Sequence, residues 1–162
     1  MIFERNDRLK IKRIGPSDDR SFKEAMKLAW RTFLKFEAPD YTKEGIESFK
    51  EFVNDRSLLR MFNAGEYILF GAYLKDELAG MISIREQTHI SLLFVDEIHH
   101  RKGIGRCLIN AAKEMEEDMG YDLLTVNAAP YAIGFYHRLG FVDTDIARVK
   151  EGITYTSMQL DF

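Results

Sequence analysis

The sequence predicts a mixed α/β fold: a mostly antiparallel sheet of about seven strands flanked by helices. Three observations carry this expectation. Short runs alternate apolar with polar residues, as half-buried strands do. Between them, apolar residues recur at steps of three and four, the spacing of a helical face. In the middle, a strand–helix–strand succession implies a parallel neighbour pair, because a hairpin turn cannot send the chain back in the same direction.

The elements follow in order. Residues 8–14 read as a strand, with Leu9 and Ile11 alternating with Lys10 and Lys12. Gly15-Pro16-Ser17 ends it, and Ser17 is placed to cap a helix. Phe22, Met26, Ala29, Phe33 and Phe36 form one face of that helix, which stops near Ala38 because Pro39 disfavours helical geometry before it. Thr42 caps a second helix with Ile46, Phe49 and Val53 inward, and residues 57–64 read as a further helical turn. Tyr67–Leu74, Leu78–Arg85 and His89–Val95 form an antiparallel meander, broken at Lys75-Asp76-Glu77 and Glu86-Gln87-Thr88. Gly103-Ile104-Gly105 opens a helix with Ile104, Cys107, Leu108, Ala111 and Met115 inward, and Gly120 stops it. Tyr121–Asn127 is a strand and 131–139 a short helix; Phe141–Val142 and Ile153–Leu160 are the last strands.

Composition narrows the function. A chain of 162 residues fits a single domain spanning 1–162, and one of this size buries roughly two-thirds of its unfolded surface. The 23 Lys and Arg against 26 Asp and Glu leave a net charge of −3. A general nucleic-acid binder would carry a basic excess. Cys107 is the only cysteine, so no internal disulfide forms and a reducing compartment is expected. Met1–Arg8 has no apolar signal core, and the longest apolar run, Tyr67–Leu74, is far short of the ~20 residues that cross a bilayer. The expectation is a cytoplasmic protein without membrane contact.

The chemistry concentrates in two segments. In the first, Val95 is followed by Asp96–His99 and then by His100-Arg101-Lys102-Gly103-Ile104-Gly105-Arg106. A strand thus runs into a basic, glycine-containing loop that opens a helix. First-turn N–H groups lack internal partners and the helix dipole is positive there, so such an end attracts anions. One reading is a diphosphate site; the other is that the glycines only shape a turn and the cations coat a helix end. Cations at a helix N-terminus are unfavourable alone, which favours an anionic ligand. A P-loop is excluded, and so is the dinucleotide fingerprint, because Leu108 stands where its third glycine belongs. The second segment is Asn127-Ala128-Ala129-Pro130-Tyr131-Ala132-Ile133-Gly134-Phe135-Tyr136-His137-Arg138-Leu139-Gly140-Phe141.

Together these segments resemble the signatures of the GCN5-related N-acetyltransferases. The first matches Gln/Arg-x-x-Gly-x-Gly/Ala with His100 in the leading position. The second matches Asn-x-x-x-x-Ala-x-x-Phe-Tyr-x-x-x-Gly-Phe at every key position. The resemblance implies the acyl-CoA N-acyltransferase fold, whose central parallel strand pair is splayed, with acetyl-CoA as co-substrate. It implies that pantetheine pairs with the backbone of Leu93 and Val95, that Phe94 between them also belongs to the cofactor site, and that the Leu93 amide polarises the thioester carbonyl. The diphosphate would lie on Arg101, Lys102, Gly103, Ile104, Gly105 and Arg106, beside His100. Asn127 would bond the cofactor, and Tyr136 would protonate the departing thiolate; its alternative is a core tyrosine packed with Ala132, Phe135 and Leu139.

An ammonium with a pKa near 10.4 must lose a proton before it attacks. In the histone-modifying branch a glutamate four residues before the oxyanion amide takes it, a position held here by His89. Strand alternation puts His89, Ser91, Leu93 and Val95 on one face, and imidazole titrates near neutrality. Glu86 is the reserve, and a water chain is a third reading. Glu37, Asp40 and Tyr41 lie where the first two helices meet, the region that shapes the acceptor pocket in this family, and could hold a cationic amine or be plain surface groups. His99 and His100 lack the further ligand spacing of a metal site, so no metal is expected.

The function these readings imply is acetyl transfer from acetyl-CoA to a primary amine of a small molecule or peptide, by direct attack in a ternary complex. The alternative is a non-catalytic acyl-CoA sensor of the same fold. A homodimer through the C-terminal strands is a further expectation from the family, and neither nucleic acid nor membrane is an expected partner.

Overall fold

The computed structural model describes residues 9–162; Met1–Arg8, including the first residue of the expected opening strand, lies outside them. Strand β1 is Leu9–Ile14, followed by helix α1, Asp19–Phe36. Asp18, not Ser17, caps α1 by accepting from the Ser21 N–H, because Ser17 is turned to φ +77° and its N–H is held by Asn63. A 3-10 turn at Ala38–Asp40 takes Pro39 in its first positions, where a missing N–H costs nothing. Helices α2 (Lys43–Val53) and α3 (Arg56–Asn63) follow, capped by Thr42 and Asp55.

Strands β2 (Ile68–Leu74), β3 (Glu77–Arg85) and β4 (His89–Val95) form the meander. Helix α4 is Ile104–Asp118, strand β5 is Leu123–Ala128 and helix α5 is Ile133–Arg138. Strands β6 (Val142–Asp143), β7 (Arg148–Lys150) and β8 (Ile153–Asp161) close the chain. The inward face of α4 is Ile104, Leu108, Ile109 and Ala112; Cys107, Ala111 and Met115 sit at its margin, partly exposed.

Among the described residues the sheet has eight strands in the order β1-β2-β3-β4-β5-β8-β6, with β7 paired to β8. Every neighbour pair is antiparallel except β4 and β5. One core lies between the sheet and α1–α3, where Phe33 and Phe49 stack at 4.0 Å. The second lies under α4 and α5 and joins Ile82, Ile90, Leu108, Leu124 and Phe141.

Two departures from regular pairing position the site. In β4, Leu92 pairs with Ser83 and Ile90 with Ile84, so Ser91 is an extra residue, a β-bulge. The bulge reverses the alternation: Ile90 belongs to the α4 core with Leu93 and Val95, whereas Leu92 and Phe94 belong to the α1 core. His89 therefore does not share a face with Leu93 and Val95, as unbroken alternation had predicted. The second departure is that β4 and β5 pair only at His89–Thr125 and Ile90–Val126. Beyond Ile90 the two strands part.

Candidate active site

Beyond Ile90 the backbone of β4 that faces this gap has no strand partner among the described residues. The Asp96 N–H donates to the Ala79 carbonyl of β3 at 2.8 Å. Successive strand residues turn their N–H groups to alternate sides, so Leu92 and Phe94 also face β3 while Leu93 and Val95 face the gap. The Val95 carbonyl confirms the direction by accepting from His100 Nε2 at 2.7 Å.

Two cavities meet at the gap. A donor-side cavity of about 610 Å³ is lined by Leu93, Phe94 and Val95, by the loop residues His100, Arg101, Gly103, Ile104, Gly105 and Arg106, and by Tyr136. The other, of about 360 Å³, is lined by Tyr41 and Phe49 from one side and Ser91, Asn127 and Glu151 from the other. Glu37, Leu93, Phe94, Ala132 and Tyr136 line both.

The loop end of the larger cavity suits an anion. Helix α4 has no side-chain cap, so its first N–H groups stay open. Arg101 at φ +64° and Gly103 at φ +77° coil the chain ahead of it. A Cβ on Gly105 would sit 3.0 Å from the Phe135 ring, so this glycine lets α4 and α5 pack closely. Arg101, Arg106 and Arg138 line the cavity, whereas Lys102 is exposed and lines neither. These features fit a diphosphate group with an extended arm running along β4.

Tyr136 is buried at the junction, its ring held edge-on between Phe135 at 5.2 Å and Phe141 at 5.1 Å. Burial first, then the charge of Glu37, pushes its hydroxyl well above the ordinary phenol range, so it stays protonated. Glu37 itself is pushed up to about 7 by burial and by neighbouring Asp40. Asp40 lines neither cavity; Tyr41 lines the smaller one, and burial followed by Glu37 and Asp40 raises it too.

The structure does not bring every expected residue to the gap. His89 sits at the joined end of β4 and β5, its Nδ1 2.8 Å from Thr125 Oγ1, and lines neither cavity. Burial and then Arg85 lower its pKa. Glu86 lies on the β3–β4 turn beside Arg85 and also lines neither. Asn127 lines the smaller cavity, its Oδ1 accepting from Ser157 Oγ at 2.9 Å.

The sequence of an acetyltransferase (GNAT) domain family matches residues 37–162, most of the chain and the whole of the gap-forming region. The chain belongs to the GNAT acetyltransferase family. Solved structures share the acetyltransferase fold over nearly its full length. A GCN5-related N-acetyltransferase from Rhodopseudomonas palustris is 20% identical, with a TM-score of 0.80 over 94% of this chain and 95% of that one. The PaiA N-acetyltransferase of Thermoplasma acidophilum, solved with coenzyme A, is 19% identical, with a TM-score of 0.72 over 95% and 99%. An aminoglycoside acetyltransferase from an uncultured soil metagenomic sample is 19% identical, with a TM-score of 0.69 over 88% and 96%.

Phe36 and Tyr131 line the larger cavity although neither is a site candidate in the sequence, and they do so beside the motif residue His100. Phe36, His100 and Tyr131 form an aromatic bridge over the larger cavity, with ring centroids 4.7 Å and 5.3 Å from Phe36. They come from three separate segments, and only the fold brings them together. Ion pairs Arg31–Asp96 and Lys35–Glu97, both at 2.8 Å, hold the end of α1 against the loop after β4.

Proposed function

We propose that this chain transfers an acetyl group from acetyl-CoA to a primary amine by direct attack in a ternary complex. The observation that carries the reading is the junction: two cavities meet where a free Leu93 amide and a buried, protonated Tyr136 lie together. Bound acetyl-CoA would supply an activated thioester. That a relative of the same fold was solved with coenzyme A supports this choice of donor.

Each residue then has a role. The open N–H groups at the start of α4 hold the diphosphate, with Arg101, Arg106 and Arg138 near it. The Val95 and Leu93 backbone groups hold the arm, and the Leu93 amide donates to the carbonyl oxygen as negative charge grows there. The smaller cavity admits the amine of a small molecule or peptide opposite the donor. Tyr136 gives its proton to the departing sulfur. Because the two substrates approach from separate cavities, no acyl-enzyme is needed.

The test combines binding and turnover. Coenzyme A should raise the melting temperature and ATP at the same concentration should not. Free thiol should appear only when acetyl-CoA and an acceptor from a panel of amines are both present. Stabilisation by coenzyme A with no thiol release from any amine would assign the chain as an acyl-CoA sensor instead.

A further inference from the structure

The geometry points to Glu37 as the general base for the acceptor amine, making the end of α1 the proton-accepting side of the site. This rests on the acetyl-transfer reading above. Among the described residues that line both cavities, Glu37 is the only carboxylate. It stands at the C-cap of α1, and the ion pairs of Arg31 and Lys35 fix that helix end against the loop after β4. An amine entering from the smaller cavity reaches the junction that Glu37, Tyr136 and Leu93 line together. His89 and Glu86 have no such position.

The surroundings explain why this carboxyl can act as a base. From its own segment it faces Asp40 and Tyr41, and across the gap it faces Tyr136 of α5. The loop after β4 adds His99, His100 and Arg101 to the larger cavity, with Arg106 of α4 and Arg138 of α5. Arg85 of β3 and Glu151 of the β7–β8 turn line the smaller one. Burial, then Asp40, leaves Glu37 titrating near 7 instead of 4.5. Against an ammonium near 10.4, that improves the proton-transfer equilibrium by roughly two to three powers of ten.

The proton count closes. Glu37 takes the first proton from the ammonium, holds it through the transfer and releases it to solvent once the products leave. The amine nitrogen bonds to the carbonyl carbon, and the carbon–sulfur pair leaves with sulfur. The second proton then leaves nitrogen and replaces the one Tyr136 gives to sulfur. The two groups are coupled, since the Glu37 charge holds the Tyr136 hydroxyl up. Protonation of Glu37 removes that charge and makes Tyr136 a better acid at the moment sulfur needs it.

The experiment is the pH profile of kcat/KM for the wild type, Glu37→Gln and His89→Ala, with two acceptors of different pKa. In the wild type the acidic limb should inflect near 7 with both acceptors. Glu37→Gln, nearly the same shape, should lower kcat by about 10²- to 10⁴-fold and abolish that limb, leaving the KM for acetyl-CoA and the circular dichroism spectrum unchanged. Glu37→Ala should regain rate with added formate, which a purely structural residue would not allow. His89→Ala should keep the limb. Wild-type turnover with an unimpaired Glu37→Gln, or a limb that survives in Glu37→Gln and disappears in His89→Ala, overturns the assignment while sparing the acetyl-transfer reading. A wild type that acetylates no amine, even with coenzyme A bound, overturns both.

Discussion

The hydroxyl of Tyr67 donates to Ser91 Oγ at 2.9 Å, tying a buried tyrosine before β2 to the bulged residue of β4. The same oxygen lies 2.7 Å from Ser83 Oγ on β3. One phenol thus pins both strands where their register changes, one residue past the last rung that joins β4 to β5.

Tyr67→Phe should test that pin. The ring stays, but the fully buried Ser83 loses its partner, at a cost of about 1–3 kcal/mol. Urea denaturation should show the loss. Because the bulge also sets the direction of the Leu93 amide, kcat should fall as well. An unchanged kcat in a destabilised variant would show that the bulge holds itself.

The two glycines of the loop should respond differently to alanine. Gly103 has open space around its missing Cβ but sits at φ +77°, so Gly103→Ala should cost about 1–2 kcal/mol of stability through backbone strain. Gly105→Ala would press on the Phe135 ring at 3.0 and 3.1 Å. Overpacking of this kind costs about 1–3 kcal/mol, and about 1.4 kcal/mol falling on the bound state weakens affinity tenfold. Calorimetry with coenzyme A should therefore separate them, Gly105→Ala losing affinity and Gly103→Ala mainly stability.

Tyr136→Phe should leave the packing against Phe135 and Phe141 intact while removing the proposed acid. Turnover should fall by about 10- to 10⁴-fold, towards the low end because a thiolate leaves readily, with the KM for acetyl-CoA nearly constant. Near-wild-type turnover would return Tyr136 to the core.

Glu116 offers a stability test far from the chemistry. It is fully buried on α4, neither carboxylate oxygen has a partner among the described residues, and burial raises its pKa from 4.5 to about 7. The folded state thus binds the proton more tightly than the unfolded chain. The stability it allows is complete below about 4.5 and is lost as pH rises through about 7. Glu116→Gln, permanently neutral, should raise the melting temperature more at pH 8 than at pH 5. An equal shift at both values would mean that the buried group is not ionising.

Much of the fold is legible in the chain because its signals are local. The limits of β4 follow from composition and turns, and α2 begins where Thr42 can cap it. What escapes depends on partners. The bulge at Ser91 is a mismatch of lengths between two strands, invisible in either alone. β7, three exposed residues, is a strand only because Ile153–Tyr155 lies beside it. The glycine loop and Tyr136 stand out by motif, and the structure places both at the gap. Glu37 is legible only as one of two readings, a group that holds a cationic amine or a plain surface carboxylate, and only the fold, which puts it on both cavities, separates them.

The parting of β4 from β5 also divides the molecule by chain order. Strands β1–β4 and helices α1–α3 come from one continuous stretch ending before the glycine loop; β5–β8 and α5 come from another beginning after α4. Two rungs of strand pairing join the sheets they form. Leu93 and Glu37 belong to the first stretch and Tyr136 to the second, so neither fragment carries a complete site. Expressed as separate pieces divided near the exposed Arg101–Gly103, the fragments would regain activity only by rejoining, which makes this seam a natural place for a split reporter.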